Sequence, residues 1–242
     1  MCTVTFIPTS KNSFVLTSNR DEHTSRLPSG APVTELINGN KLLFPKDGNA
    51  GGTWICASET GRVICLLNGA FTKHRHMPPY RKSRGLLALE SFDFEDIEDF
   101  IDHYDFSNIE PFTMVIFETS ISTLFELRWD GTSTYLKRLP LENHIWSSSP
   151  LYDQEIRAER EVWFKEWFEL NDNSTKSIMS LHTTGGRGTV ENNFNMKRVS
   201  GVQTVSVTQV TCNPSWFSME HTNFVTNELN SKKLVIDAGE FV

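Results

Sequence analysis

The spacing of apolar residues predicts short β-strands in the first half of the chain and again near its carboxyl end. These segments are rich in β-branched and aromatic residues and are separated by Gly, Asn, Asp and Pro. The predicted strands cover residues 2–7, 13–18, 53–57, 62–67, 112–118, 123–129, 134–139, 204–212 and 216–220. Asp130-Gly131 is the clearest hairpin turn, because glycine supplies the positive φ that such a turn needs.

Helical periodicity is confined to a few segments. Asp93 is predicted to cap a helix with one apolar stripe, and Asp153 a second helix that ends before Asn171. The first stripe consists of Ile97, Phe100, Ile101 and Tyr104, and the second of Ile156, Trp163, Phe164, Trp167 and Leu170. A weaker helix covers residues 83–90. Strands with helices in separate blocks, rather than in strict alternation, predict an α+β fold.

No segment of the chain has the composition of a linker between two domains. Residues 30–52 and 171–195 are the most loop-like segments, and neither resembles an interdomain linker. We predict one domain over residues 1–242.

Composition narrows the classes of function. The 242 residues carry a net charge of −7, which argues against a nucleic-acid-binding protein. No apolar run is long enough for a transmembrane segment, and the amino end has no secretory pattern. We therefore expect four reduced cysteines, Cys2, Cys56, Cys65 and Cys212, and a cytoplasmic location.

Cys2 is the sharpest candidate for chemistry. Removal of Met1 would leave a first residue that carries both a thiol and an α-amino group. Such an amine, with a reference pKa of about 7.7–8.0, can accept the thiol proton near neutral pH without a histidine. The alternative is that Cys2 merely begins an edge strand.

A polar motif is predicted to lie beside Cys2. A hairpin centred on residues 9–12 would pair positions whose numbers sum to about 21, which puts Cys2 opposite residues 18–20. The segment Asn19-Arg20-Asp21-Glu22 would then meet the start of the chain. Arg20 would lower a neighbouring thiol pKa, and Asp21 could orient the thiol or the new ammonium. The alternative is a solvated charge cluster at a strand end.

The opening Met1-Cys2-Thr3, Ser18-Asn19-Arg20-Asp21-Glu22, Gly51-Gly52-Thr53-Trp54 and Ser83-Arg84-Gly85 occur in a recognisable order. Together they resemble the NRDE family, also called the transport and Golgi organisation family. That family is related through its first strands to the cholylglycine and penicillin V acylases, which are N-terminal nucleophile hydrolases. The resemblance implies a four-layer αββα sandwich of two antiparallel sheets.

The resemblance also implies roles for single residues. Cys2 would be the catalytic nucleophile, and Asp21 corresponds to the acylases' aspartate near the amino terminus. The acylases' arginine lies three residues before that aspartate, where this chain has Ser18, and Arg20 is instead adjacent to Asp21. Asn68 falls where the acylases place an oxyanion-hole asparagine; the alternative is an ordinary turn residue before a glycine.

The later motifs depart from the acylases and from the family. Serines stand at residues 147–149, near the position of a mid-chain asparagine in the acylases. Gln203-Thr204 replaces the Thr-Arg pair of many NRDE relatives.

The resemblance therefore carries two functions. The leading hypothesis is a cysteine amidohydrolase, without a cofactor, that acts on a small-molecule N-acyl amide. The alternative is a non-catalytic protein that handles haem or lipid.

Other clusters are weaker candidates. His74 and His76 lack further local ligands, so a solvated loop is favoured over a metal site. Cys56 and Cys65 are predicted to be a reduced pair across a turn, and residues 184–188 a flexible loop near the substrate entrance. Basic residues at 73–84 precede an acidic helix; they could form a rim for an anionic group, but mutual compensation is favoured.

Overall fold

The computed structural model describes residues 3–237, and the predictions for Met1 and Cys2 lie outside this range. Two antiparallel sheets face each other, and helices cover the outer face of each one. This arrangement confirms the α+β class and the αββα layering.

The six-stranded sheet has the order β10-β1-β2-β11-β12-β13. Its strands are β1 (Thr3–Ser10), β2 (Ser13–His23), β10 (His144–Ser147), β11 (Val202–Asn213), β12 (Trp216–Asn223) and β13 (Glu228–Val235). Because β1 lies between β10 and β2, the amino end of the described chain is fixed on both sides by backbone hydrogen bonds.

The seven-stranded sheet runs in chain order from β3 to β9. Its strands are β3 (Pro32–Ile37), β4 (Asn40–Pro45), β5 (Ile55–Ser58), β6 (Arg62–Asn68), β7 (Phe112–Glu118), β8 (Thr123–Trp129) and β9 (Thr134–Leu139). Strands that follow one another in the chain are neighbours in this sheet, including β6 and β7, whose connection contains the helices of one outer layer.

Among residues 3–237, four α-helices and one 3-10 helix form the outer layers. They are α1 (Arg84–Glu90), the 3-10 helix (Ser91–Asp93), α2 (Ile97–His103), α3 (Gln154–Leu170) and α4 (Thr175–Thr184). Ser83 caps α1, and Asp153 caps α3 as the sequence predicts. The predicted cap of α2 is wrong: Asp96, not Asp93, accepts the hydrogen bond from the Asp99 amide.

The alternation of side chains along the strands divides the buried apolar residues among separate cores. Val4 and Phe6 on β1 face the seven-stranded sheet, whereas Ile7 packs under α3 and α4. A further core lies between the seven-stranded sheet and α1 and α2. Alternation of side chains across each strand produces these layers.

Both segments predicted as loops contain regular structure. Residues 30–52 include β3 and β4, and residues 171–195 include α4. The predicted cysteine pair is also wrong, because Ile55 pairs with Cys65 and Cys56 pairs with Ile64. Cys56 and Cys65 therefore point to opposite faces of the sheet; both are free thiols, as is Cys212.

The β1–β2 hairpin has nearly the predicted register. Thr3 pairs with Asn19 and Ile7 with Val15. However, β2 continues to His23, so the Asn19–Glu22 motif belongs to the strand and pairs with β11 on its other side. Within residues 3–237, no helix has the length and apolar character needed to cross a membrane.

Candidate functional site at the amino end of β1

The start of β1 brings three segments together. Thr3 pairs with Asn19 on β2 and with Ser147 on β10. Cys2, the residue before Thr3 in the sequence, lies outside the described residues. Thr3 is thus the described residue next in sequence to the candidate nucleophile.

Asn19 ties this end of the sheet to the helical layer. Its side-chain amide donates to the carbonyls of His182 and Phe194, each at 2.9 Å. The Oδ1 of Asn19 consequently faces His182 Nδ1, so the neutral His182 ring carries its proton on Nδ1. The other ring nitrogen, Nε2, accepts a hydrogen bond from the Thr5 hydroxyl at 2.8 Å. Burial and then the charge of Arg160 lower the pKa of His182 to about 3.

Arg20 faces the space between the sheets and is neutralised there. Its Nη2 lies 2.5 Å from Asp47 Oδ2, and its guanidinium sits 5.0 Å from the centre of the Trp54 ring. Burial would raise the pKa of Asp47, but the Ala50 amide and the charges of Arg20 and Arg26 together lower it below its usual range. Arg20 is therefore one half of a buried ion pair.

Asp21 faces the opposite side of β2, towards the helical layer. Its Oδ1 accepts from the Thr204 hydroxyl at 2.6 Å, and its Oδ2 from the Tyr152 hydroxyl at 3.3 Å. Sequence reasoning missed both partners, because nothing in the chain links residues 152 or 204 with residue 21. The two donors fix the carboxylate at the same end of the sheet as Thr3.

Asn68 ends β6 and joins the second sheet to this site. Its carbonyl accepts from the Ser148 hydroxyl at 2.9 Å, and Ser148 directly follows the Thr3 partner Ser147. Gly69 has φ +77°, and a Cβ there would lie 2.4 Å from Pro150 and Ser149. Close packing therefore requires glycine at residue 69, whereas no hydrogen bond within residues 3–237 uses the side-chain amide of Asn68.

Two cavities meet at Asn68. The larger, the arginine cavity, has a volume of about 630 Å³, and the smaller, the serine cavity, about 440 Å³. Residues lining the arginine cavity include Arg20, Trp54, Asn68, Arg81, Arg84 and Glu110. Residues lining the serine cavity include Asn68, Phe71, Arg128, Ser147, Ser148 and Ser149. Asn68 contributes to both walls.

Two motifs distant in sequence build one wall of the arginine cavity. The Thr53 amide donates to the Gly85 carbonyl at 3.0 Å. A Cβ on Gly52 would lie 2.3 Å from the Gly85 carbonyl carbon, so only glycine allows this approach. The segments 51–54 and 83–85 therefore share one structural role.

The basic segment near this cavity is largely compensated, in line with the favoured alternative. Lys82 pairs with Glu90, and Arg84 Nη2 lies 2.9 Å from Glu110 Oε2. Both His74 and His76 contact Glu110 Oε1 at 3.1 Å. Residues 3–237 contain no group of His, Cys, Asp or Glu side chains arranged to hold a metal ion.

The glycine-rich loop at residues 184–188 packs against α3. Arg187 pairs with Glu166 of α3 at 2.5 Å, and a Cβ on Gly188 would meet the Trp163 ring. The loop packs on the outer helical layer and lines neither the arginine nor the serine cavity. That it borders the substrate entrance stays a prediction.

Comparison with solved structures shows the same fold in hydrolases. A variant of conjugated bile acid hydrolase from Clostridium perfringens has a TM-score of 0.54 at 11% identity, covering 99% of this chain and 98% of its own. Penicillin V acylase from Agrobacterium tumefaciens has a TM-score of 0.57 at 11% identity, covering 95% and 85%. The Caenorhabditis elegans orthologue of N-acylethanolamine-hydrolyzing acid amidase has a TM-score of 0.50 at 13% identity, covering 86% and 92%.

These structural relatives are N-terminal nucleophile hydrolases, so the chain has their fold. No curated protein matches the chain in sequence. The family model of Transport and Golgi organisation 2 matches residues 1–228. This chain therefore belongs to the Transport and Golgi organisation 2 family.

Proposed function

We propose that the protein is an N-terminal-nucleophile amidohydrolase that cleaves a non-peptide carbon–nitrogen bond, such as that of an N-acyl amide. The observation that carries the proposal is the side-chain amide of Asn68. It borders two cavities and has no hydrogen-bond partner within residues 3–237, and Ser148 ties its backbone to the strand that pairs with Thr3. A donor held in this way is suited to a charge that appears only during reaction.

The proposed reaction begins after removal of Met1. The amine of Cys2 accepts the thiol proton, and the thiolate sulfur attacks the substrate carbonyl carbon. The carbon–nitrogen bond then breaks, and the ammonium of Cys2 returns the proton to the leaving amine. Water hydrolyses the resulting thioester, which releases the carboxylic acid and restores the thiol.

Asn68 and Asp21 have separate roles in this scheme. The side-chain amide of Asn68, with a backbone amide, donates to the oxyanion of the tetrahedral intermediate. Asp21 orients the ammonium of Cys2, while the hydroxyls of Thr204 and Tyr152 hold its carboxylate. Arg20 contributes to the wall of the arginine cavity through its pair with Asp47.

The fold supports this chemistry, since the structural relatives bear the names of hydrolases and acylases. Their identities of 11–13% carry no information about the substrate of this chain. The acyl and amine halves are therefore to be identified by assay.

Handling of haem is less well supported by the residues that line the site. Within residues 3–237, the arginine cavity is lined by no His, Met or Cys side chain, and these are the usual axial ligands of haem iron. Tyr80 is present there, but its hydroxyl accepts a hydrogen bond from the Met77 amide. The described lining of the arginine cavity therefore does not fit haem, and no step of the proposed reaction involves it.

The test is turnover of the processed chain. Intact mass first establishes whether native protein lacks Met1, and a panel of N-acyl amides with short to long acyl chains is then assayed. We expect a thioester adduct on Cys2, loss of turnover in Cys2→Ala and retained turnover in Cys212→Ala, since Cys212 is a buried core thiol. Retention of Met1, with Cys2 no more readily alkylated at mildly acidic pH than Cys212, would overturn the proposal.

A further inference from the structure

The segment that begins at Asn68 and covers residues 68–72 is held in place by side chains from other parts of the chain. Four of its backbone carbonyls accept hydrogen bonds of 2.9–3.2 Å from such side chains. The pairs are Asn68 with Ser148, Gly69 with Thr113, Ala70 with Arg128 and Thr72 with Ser149. Because these donors come from three different elements and loops, the backbone of residues 68–72 is ordered before any ligand binds.

Arg128, which holds the Ala70 carbonyl, is itself fixed by an ion pair. Its Nε and Nη2 lie 2.9 and 2.8 Å from the two carboxylate oxygens of Glu126, and Trp146 Nε1 donates to Glu126 Oε2 at 2.7 Å. Burial would raise the pKa of Glu126, but the hydrogen bonds and charge of Arg128 and the Trp146 hydrogen bond together lower it below its usual range. The carboxylate is therefore ionised, and the bidentate pair keeps the guanidinium in one orientation.

Phe71 is an exposed aromatic residue carried by this ordered segment. Its side chain is 43% exposed and lines the serine cavity. The guanidinium carbon of Arg128 lies 5.0 Å from the centre of the Phe71 ring, and the Tyr135 ring meets it edge-on with 5.1 Å between centres. The Tyr135 hydroxyl in turn donates to Asp130 at 3.0 Å. A ring that is fixed on two sides and open at a cavity offers an apolar ligand group a preformed contact.

The two cavities that meet at Asn68 differ in the charge of their walls. Among residues 3–237, eight charged residues line the arginine cavity and three line the serine cavity. Of those three, Arg128 is neutralised by Glu126. An apolar chain that covers ionised side chains removes water from them, which costs free energy. The serine cavity, with fewer such groups and with Phe71 in its wall, is therefore the better place for the apolar half of an amide.

We propose that Phe71 is a specificity-determining residue whose ring binds the apolar acyl chain of the substrate in the serine cavity. The proposal rests on the proposed function, because it concerns the acyl half of that amide. Phe71 follows Asn68 by three residues, so their Cα atoms are at most about 11 Å apart. With the carbonyl oxygen bound at Asn68, the acyl chain reaches the ring after a limited number of methylene groups, and further length gains no contact with it.

The experiment measures how the affinity for an amide depends on the length of its acyl chain. N-methyl amides from acetyl to dodecanoyl are titrated calorimetrically into the full chain carrying Cys2→Ala, which cannot form a thioester. Each methylene group that contacts the ring should lower the dissociation constant about fourfold. Adding Phe71→Ala should weaken binding of the longer amides by about tenfold and leave the acetyl amide unchanged. Phe71→Leu should restore most of the affinity, because it restores an apolar surface.

Ile121→Ala is the matched control, because Ile121 is 56% exposed and lies in the turn between β7 and β8, at the end of these strands away from Asn68. It should keep the full gain with chain length. An unchanged gain in folded Phe71→Ala, or an equal loss in Ile121→Ala, would overturn the proposal. If Phe71→Ala does not fold, Phe71→Gln decides, since it replaces the ring with a polar group: a reduced gain supports the proposal and an unchanged gain overturns it.

A second series of amides tests which half of the substrate meets the ring. It keeps the acetyl group and lengthens the alkyl chain on nitrogen instead. This series should show no gain that depends on Phe71. A gain confined to the second series and lost in Phe71→Ala would overturn the assignment of the acyl chain to the serine cavity.

Binding is measured without turnover, so the two proposals can fail separately. A gain with acyl length that depends on Phe71, in a protein whose wild type hydrolyses no amide, would reject the amidohydrolase function and keep the role of Phe71. Turnover in the wild type with no such gain would reject the role of Phe71 alone.

Discussion

Two buried imidazoles should make the protein less stable in acid. His182 and His221 are almost fully buried, and His221 lies between the hydroxyls of Ser29 and Thr208 at 3.0 and 2.8 Å. Burial is the largest cause of their lowered pKa values, about 3 for His182 and about 4 for His221. A histidine in the unfolded chain has a pKa of about 6.5. Below that pH these two histidines bind protons in the unfolded chain but stay neutral in the folded one, which favours unfolding.

The size of the effect follows from these pKa values. Stability is complete above about pH 6.5 and falls as the pH is lowered towards the folded pKa values. Between pH 7.5 and pH 5.0 each imidazole should lower the free energy of unfolding by about 2 kcal/mol. Both together would remove a large part of the 5–15 kcal/mol typical of a folded domain.

Urea unfolding at pH 7.5 and pH 5.0 measures this loss. His221→Gln should be less stable than the wild type at pH 7.5, but its further loss at pH 5.0 should be smaller by about 2 kcal/mol. His76→Gln is the control, because the His76 side chain is 66% exposed, and it should keep the wild-type pH dependence. An equal loss in His221→Gln and the wild type would refute the assignment of the acid sensitivity to buried imidazoles.

Three further substitutions test the site and its scaffold. Asn68→Ala should lower kcat by about 10²–10³ with little change in KM, because it removes a donor used in the transition state; wild-type turnover would exclude Asn68 from the mechanism. Asp21→Asn should melt like the wild type and lose most activity, whereas unfolding of this variant would indicate a structural carboxylate. Gly52→Ala should lose about 1–3 kcal/mol in denaturant titrations, since its Cβ would meet the Gly85 backbone. Gly30→Ala, which meets nothing within 4 Å, should lose less, and equal losses would contradict the packing argument.

The sequence predicts most of the fold because the buried strands carry strong apolar patterns. Strands β7, β8 and β9 have the predicted bounds. The hairpin of β3 and β4 was missed because its flanks are rich in turn-forming residues. The sequence feature that indicates this hairpin is Asn38-Gly39, a pair typical of tight hairpin turns. In the structure the two residues have φ values of 50° and 88°, as such a turn requires. Helix α4 was missed although Ile178 and Leu181 form a buried stripe beginning one turn after the Ser174 cap.

The candidate site is less accessible to sequence reasoning than the fold. Arg20, Asp21 and Asn68 can be found from motifs, because each lies in a recognisable segment of the sequence. Their partners come from segments that are distant in the sequence. Thr204 reaches Asp21 over 183 positions of sequence, and the hydrogen bond of Arg160 to Thr3 spans 157. No local pattern specifies such pairs. The first forms when β11 pairs with β2 in the sheet, and the second when α3 docks on β1.

The position of Asn68 between two cavities has a kinetic consequence for the proposed reaction. With the oxyanion held at the junction, the acyl group and the leaving amine occupy different cavities. The amine can then depart while the acyl group stays bound as a thioester, and its empty cavity can admit a second nucleophile. Such an enzyme would follow a ping-pong order, in which an added amine competes with water for the acyl group and yields an exchanged amide.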